Sequence, residues 1–93
     1  IEDMAGEAGS FEVFPNPAET RASVAFHLPY AQPISLSLLD MQGRVIAVFE
    51  NQPFFPAGAH SLQIPLDDVP GGLYLLRLQT EESNTLSKLW VQK

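Results

Sequence analysis

The sequence predicts an all-β fold, a seven-stranded antiparallel β-sandwich of the immunoglobulin-like class. Short runs of alternating apolar and polar residues recur from Phe11 onward, and this period of two is typical of strands. Proline, glycine, asparagine and aspartate separate the runs, as expected of tight turns. No run keeps the spacing of an amphipathic helix, which disfavours helical architectures.

The first two predicted strands flank a proline-rich break. Phe11–Phe14 forms a brief strand, and the Pro-Asn-Pro segment at positions 15–17 ends it, because proline cannot donate to a sheet ladder. Arg21–Leu28 alternates and forms the second strand. Its apolar face consists of Ala22, Val24, Phe26 and Leu28.

Residues 34–49 predict a hairpin. Three aliphatic residues alternate with two serines between positions 34 and 38, which indicates a half-buried strand. The segment from Asp40 to Gly43 supplies turn chemistry, since Gly43 can adopt a positive φ. The chain resumes as a β-branched strand over Arg44–Phe49.

The second half of the chain predicts three more strands. Asn51–Gly58, rich in proline and phenylalanine, is expected to be a loop, and Ala59–Ile64 the next alternating strand. Pro65–Gly72 forms a long turn. Leu73–Thr80 is apolar on both faces, which indicates a central strand covered from both sides. Leu86–Val91 is the final strand.

Charge and length divide the chain into a linker and a domain. The chain has 93 residues and a net charge of −6, and residues 1–12 hold four acidic residues and no basic one. The first ten residues have no apolar periodicity, so residues 1–10 are expected to form a flexible acidic linker. Residues 11–93 then form one domain. The absence of cysteine excludes disulfides, and a domain of this length is large enough to build a core without them.

Composition also excludes several classes of function. The five basic residues are scattered along an acidic chain, which argues against a nucleic-acid partner. The longest apolar run, Val45–Phe49, is far too short to span a membrane. No charged start followed by an apolar stretch is present, so we expect no secretory signal within the chain.

Sites for metals or catalysis are not expected. His27 and His60 lack the spacing of a zinc site, and there is no cysteine to complete one. Asp67-Asp68 and Glu81-Glu82 lie in turns and do not match a calcium-binding loop. No nucleophile elbow is present, and the domain is too small for a deep cleft. We therefore predict no metal, no cofactor and no enzymatic activity.

Two aromatic features leave alternatives open. For the adjacent Phe54 and Phe55, we expect at least one ring to cap the sandwich, whereas an exposed pair would mark a partner contact. For Trp90, we expect ordinary packing. If Leu89 and Val91 point inward instead, Trp90 is exposed and could stack on a sugar or a protein partner.

Four motifs, taken in order, resemble a known family. They are Phe14-Pro-Asn-Pro-Ala18, Leu39-Asp-Met-Gln-Gly-Arg-Val45, Leu66-Asp-Asp-Val-Pro-Gly-Gly-Leu-Tyr74 and Leu86-Ser-Lys-Leu-Trp-Val-Gln-Lys93. Together they resemble the C-terminal sorting domain (type A) of cargo proteins of the type IX secretion system of Bacteroidetes, over about residues 11–93. Two departures are mild, because Phe14 replaces a more common tyrosine and Trp90 stands where a β-branched residue is often found.

The resemblance implies a set of residues through which the domain is recognised by the outer-membrane translocon. These candidates are Pro15, Asn16, Pro17, Gly43, Arg44, Gly71, Gly72, Tyr74, Lys88, Leu89, Trp90, Val91 and Lys93. We also expect the terminal strand to dock by strand addition on an exposed edge. A dimer formed through an edge strand is left open.

The resemblance further implies the route of a passenger protein attached on the N-terminal side. The passenger reaches the periplasm, and the domain then directs it through the translocon to the outer membrane, the cell surface or the medium. In many cargos a sortase removes the domain and joins the passenger to anionic lipopolysaccharide, which makes Ala8, Gly9 and Ser10 the candidate cleavage region. Some members retain the domain.

A different class of function stays open beside this one. An immunoglobulin-like adhesion or carbohydrate-binding module could use Trp90 and the Phe54-Phe55 pair. A retained sorting-type domain in a secretion or signalling component is a further alternative.

Overall fold

The computed structural model describes residues 11–81 and 83–93, which form seven strands and no helix. The strands are β1 (Phe11–Phe14), β2 (Arg21–Leu28), β3 (Gln32–Leu39), β4 (Val45–Phe55), β5 (Gly58–Pro65), β6 (Gly72–Gln79) and β7 (Asn84–Val91). They build a three-stranded sheet in the order β1-β2-β5 and a four-stranded sheet in the order β4-β3-β6-β7. All pairings within the two sheets are antiparallel, so the predicted seven-stranded sandwich is confirmed.

The core lies between the two sheets and follows from the alternation in the sequence. All four apolar residues of the predicted inner face of β2 are buried, from Ala22 to Leu28. On β3, Leu36 and Leu38 are completely buried, and the same holds for Leu76 and Leu78 on β6. Each of these strands therefore contributes every second side chain to one apolar layer.

The predicted loop over Asn51–Gly58 is wrong, because β4 continues as a strand to Phe55. Its partner β3 begins at Gln32, and the two strands stay paired up to the contact between Gln32 and Phe55. Irregularities in the β3–β4 register absorb the extra residues of β4. Proline is tolerated at position 53 because β4 is an edge strand.

The prediction that β6 is covered from both sides is also wrong. β6 lies between β3 and β7, but only its inner face is buried, at Tyr74, Leu76 and Leu78. Leu73 and Leu75 on the opposite face are half-buried. All seven described strands belong to the two sheets, so no described strand lies over this outer face.

One ring of the Phe54-Phe55 pair caps the sandwich, as expected. The Phe55 ring centroid lies 5.9 Å from that of Phe26 and 4.6 Å from that of His60. Phe54, the next residue along the strand, is 68% exposed. Alternation along β4 therefore sends one ring inward and the other to solvent.

Two leucines of β7 test this assignment of faces. Leu89 is completely buried, whereas Leu86 is 53% exposed. We expect Leu89→Ala to lower the free energy of unfolding by about 2–5 kcal/mol, because it leaves a cavity in the core. Leu86→Ala, the matched control on the same strand, should cost less than about 1 kcal/mol. Chemical denaturation followed by circular dichroism measures both, and equal losses would contradict the inner position of Leu89.

Candidate recognition surface

The side chain of Asn16 in the Pro-Asn-Pro segment forms hydrogen bonds with the outer edge of β7. The Asn16 amide Nδ2 donates to the carbonyl oxygen of Lys88 at 2.9 Å, and the backbone N–H of Trp90 donates to Asn16 Oδ1 at 3.0 Å. One carboxamide thus donates and accepts as a peptide group of a neighbouring strand would. The two flanking prolines could not supply these donors from their own backbone.

Ala18 continues the same edge with its backbone. Its N–H donates to the carbonyl oxygen of Trp90 at 2.8 Å, and its own carbonyl oxygen accepts from the N–H of Gln92 at 2.7 Å. Ala18 is completely buried and forms a parallel bridge with Val91. We call these contacts of Asn16 and Ala18 with β7 the clasp.

The clasp bears directly on the expected strand addition. Between Lys88 and Gln92, the outward-facing backbone groups that a new strand would need are already bonded to Asn16 and Ala18. β6 occupies the opposite edge along the whole of β7. In the folded domain, strand addition at this half of β7 therefore requires the clasp to open.

The Gly71-Gly72 turn packs against the end of β7. A Cβ atom at Gly71 would lie 3.4 Å from both the Lys93 nitrogen and the Val91 carbonyl oxygen, so a side chain would press on that backbone. Gly72 has a φ of 154°, which residues with side chains rarely adopt. The Tyr74 hydroxyl donates to the carbonyl oxygen of Pro70 at 2.7 Å and fixes the turn from the other side.

Lys93 ties the chain beyond β7 to the β5–β6 turn. Its Nζ donates to the carbonyl oxygens of Leu66 at 2.6 Å and Asp67 at 3.0 Å. The N–H of Leu66 in turn donates to the carbonyl oxygen of Thr20 at 2.7 Å, next to the start of β2. The cation therefore satisfies turn carbonyls at the place where the two sheets meet.

The Asp40–Arg44 turn lies at the same end of the four-stranded sheet. Asp40 Oδ1 accepts from the backbone N–H of Arg44 at 2.9 Å and of Gln42 at 3.0 Å, and Oδ2 accepts from Arg44 Nε at 2.8 Å. Gly43 has a φ of 90°, which explains the glycine. The backbone N–H of Arg44 is the main cause of the lowered pKa of Asp40, and the Arg44 side chain lowers that pKa further.

All four sequence motifs thus converge on one end of the sandwich. The register places Leu39 beside Leu75 and Leu75 beside Lys88, so the β3–β4 turn, the start of β6 and the end of β7 lie side by side. The clasp adds the Pro-Asn-Pro segment at the outer edge. Motifs that lie up to 74 residues apart in sequence are neighbours here.

The predicted recognition residues differ in their accessibility. Leu89 and Val91 are buried in the core, and Tyr74 is 9% exposed, so their side chains support the fold. The exposed members are Pro15, Asn16, Pro17, Gly43, Arg44, Gly71, Lys88, Trp90 and Lys93. Within this exposed group, the side chains of Asn16, Arg44 and Lys93 already bond to the protein itself.

The expectation that Trp90 packs in the ordinary way is wrong. Its side chain is 53% exposed because Leu89 and Val91 face the core. Apolar residues stand on both faces of β7, so alternation alone could not decide which face is inner. The role of Ala18 as a partner of β7 was not predicted, and only its position directly after the Pro-Asn-Pro segment could have suggested that role.

The histidines have local partners. The His60 ring lies against Phe26 and Phe55, and its Nε2 is 2.7 Å from the carbonyl oxygen of Pro56. His27 is exposed on β2. Over residues 11–81 and 83–93, no three histidine or carboxylate side chains come together in a way that could hold a metal ion.

Two groups of predicted residues lie outside the described residues. They are the acidic linker at residues 1–10, with the candidate cleavage residues Ala8, Gly9 and Ser10, and Glu82 of the acidic pair in the β6–β7 turn. The described part of the chain holds no helix that is long and apolar enough to cross a membrane.

Comparison with models of known protein families shows where the chain belongs. The model of a family described as the secretion system C-terminal sorting domain matches residues 12–92, from the first strand to the residue after β7. No curated protein matches the chain.

The clasp predicts a local effect of Asn16. Asn16→Ala removes two hydrogen bonds to β7, and we expect a loss of about 1–2 kcal/mol in the free energy of unfolding. Hydrogen exchange of the Trp90 amide should accelerate more than that of Leu38 in the middle of β3. The control is Asn51→Ala, an exposed asparagine on β4. Unchanged exchange at Trp90 would contradict the clasp.

The Asp40 turn predicts a dependence of stability on pH. Since the pKa of Asp40 is lower in the folded protein than its ordinary value of 3.8, its ionised form stabilises the fold above that pH. This contribution disappears as the pH falls through the folded pKa. Asp40→Asn should therefore be less stable at pH 7 and lose less stability on acidification, as measured by denaturant midpoints. Asp67→Asn is the control, and parallel curves for wild type and Asp40→Asn would contradict the assignment.

Proposed function

The chain belongs to the family of secretion system C-terminal sorting domains, and from that premise we propose that it is a transferable signal, recognised as a folded body, for a passenger attached on its N-terminal side. As a type IX sorting domain, it acts with the type IX secretion machinery and directs export to the outer membrane, the cell surface or the medium. The outer-membrane translocon is the partner that we propose for the recognition step.

The observation that carries this proposal is the extent of the family match. It covers residues 12–92, and the described strands run from Phe11 to Val91. The family model therefore spans the whole sandwich, which a short linear tag would not require. The convergence of all four motifs at one end of the sandwich supports recognition of a folded surface.

The exposed residues at this end are suited to contact a partner. Arg44 has a side chain that is 78% exposed, Trp90 is 53% exposed, and Lys88 is exposed on the same strand as Trp90. Arginine and tryptophan are enriched among the residues that dominate binding energy. Buried members of the motifs, such as Leu89, contribute by holding β7 in place.

We further propose the steps before and after translocation. The passenger crosses the periplasm with the domain attached, and a sortase then cuts in the region of Ala8, Gly9 and Ser10, which precedes β1. The small side chains of this region suit a protease cleft. In the cleaved cargos, the passenger is joined to anionic lipopolysaccharide.

A binding module is the second candidate, and the exposure of Trp90 favours it. An exposed indole on a sheet face can stack on a sugar ring. Trp90 is the only tryptophan in the chain, so its fluorescence reports binding directly. Titration with glycans that changes this fluorescence, in a domain that does not support export, would favour the second candidate.

Export of a reporter tests the proposed signal. The complete 93-residue chain is fused behind a reporter that carries an N-terminal signal peptide, in a host with a type IX system. We expect the reporter on the cell surface or in the medium, and in the periplasm of the same host without its translocon. Mass spectrometry of the exported reporter locates the cut or shows an intact fusion. A folded, intact fusion that stays in the periplasm of the competent host would contradict the proposal.

A further inference from the structure

The outer face of the four-stranded sheet is unusually apolar for a surface. Its exposed members include Val45 (51%), Val48 (57%), Leu86 (53%) and Trp90 (53%). Half-buried Leu73 and Leu75 lie between them on β6. An exposed apolar area that crosses a whole sheet is typical of an interaction site. We call the outer face the surface formed by these six residues and by the four side chains that lie among them, Ser37, Leu39, Arg77 and Lys88.

The strand register shows that these side chains are contiguous. One row runs across the sheet from Val48 through Ser37 and Arg77 to Leu86. The next row runs from Val45 through Leu39 and Leu75 to Lys88, and Leu73 lies opposite Trp90 in the third. Leu39 is only 5% exposed although it does not belong to the core cluster, so its neighbours on this face cover it.

Two cations lie within this apolar surface. Arg77 lies on the inner strand β6 in the first row, Lys88 lies on the edge strand β7 in the second, and the three rows contain no acidic residue. Arg77 Nε is buried and has no hydrogen-bond partner among the described residues. A buried donor without an acceptor is costly, and a carboxylate that reaches the same guanidinium from outside would give it a charge-assisted partner.

We propose that the outer face docks a protein segment of the type IX machinery that presents a carboxylate among apolar side chains. The carboxylate would bond to the guanidinium of Arg77 and lie close to Lys88, and Trp90, Leu86 and Val48 would seal the contact from water. This inference rests on the proposed function, because it names the surface through which the sorting signal is recognised. It assigns recognition to this face and not to the clasped edge of β7.

The arrangement fits a protein partner better than a lipid surface. Arg77 stands inside the apolar area, on the inner strand β6, whereas a protein that lies on a membrane inserts its apolar centre and keeps its cations at the rim. In protein interfaces, a central arginine that contributes much of the binding energy is often surrounded by side chains that exclude water. A planar guanidinium among apolar side chains matches that arrangement.

A second copy of the chain is a poor occupant of the same face. A twofold axis through the outer face would bring Arg77 and Lys88 of one copy against the same cations of the other. Like charges in a desolvated contact are unfavourable. The net charge of −6 also opposes association of two copies.

Substitutions of opposite charge at Leu86 test the sign of the charge that the partner carries. Leu86→Glu and Leu86→Lys both remove the exposed aliphatic contact, but only glutamate repels an acidic partner. In the reporter fusion with the complete chain, we expect Leu86→Glu to lower export about tenfold and Leu86→Lys to lower it less than about threefold. The controls are Ser61→Glu and Ser61→Lys, which change an exposed residue of β5 in the other sheet and should leave export unchanged.

Folding and assembly are measured on the same variants. Circular dichroism and thermal unfolding of the complete purified chain identify any variant that fails to fold, and Lys88→Glu provides a second exposed position at which export should fall. Sedimentation velocity gives the oligomeric state, and flotation with phosphatidylglycerol vesicles tests binding to an anionic membrane. We expect a monomer that does not float.

The outcomes separate this inference from the proposed function. If the wild-type fusion is not exported by the competent host, both fail. If wild type is exported and folded Leu86→Glu is exported equally well, the outer face is not the docking surface and only this inference fails. Equal losses in Leu86→Glu and Leu86→Lys overturn the acidic partner. A wild-type dimer that Leu86→Glu dissociates, or vesicle binding that Lys88→Glu abolishes, overturns the protein partner.

Discussion

The structure depends on how β7 is held at its two edges. β6 pairs with one edge along the whole strand, and Asn16 and Ala18 bond to the other between Lys88 and Gln92. The clasp joins the segment between β1 and β2, which belong to the three-stranded sheet, to the four-stranded sheet. The clasp therefore connects the two sheets by hydrogen bonds, whereas the core holds them together by apolar contacts. Gly71 and Lys93 complete this fastening at the end of the strand.

The residues in and around the sorting-domain motifs are of two kinds. Asn16, Gly71, Leu89 and Lys93 use their chemistry on the protein itself, and they shape the surface without being free to bind. Arg77, Lys88 and the exposed aliphatic side chains make few such bonds, and they are distributed over the outer face. A partner can thus recognise one surface although the motifs that maintain that surface lie around its border.

Alternation predicted most of the strands but not their long-range pairing. β2 and the β3–β4 turn could be predicted because period-two patterns and the Asp40–Gly43 turn are local signals. The extension of β4 to Phe55 depends on pairing with Gln32, which no local pattern carries. The same limit applies to the candidate surface. The motif residues were identified by resemblance. The face of β7 on which Trp90 lies and the hydrogen bonds of Asn16 depend on residues that are distant in sequence.

The clasp also has a consequence for the kinetics of folding. Its two side-chain bonds join residues 72 and 74 positions apart, so closing it encloses nearly the whole domain in one loop. Loop-closure entropy makes such a contact unfavourable until the intervening strands have formed. Contacts of this separation form late and cooperatively, and the closed edge of β7 therefore exists only in a domain that has completed its folding. A receptor that engages this end of the molecule would discriminate finished copies from nascent ones.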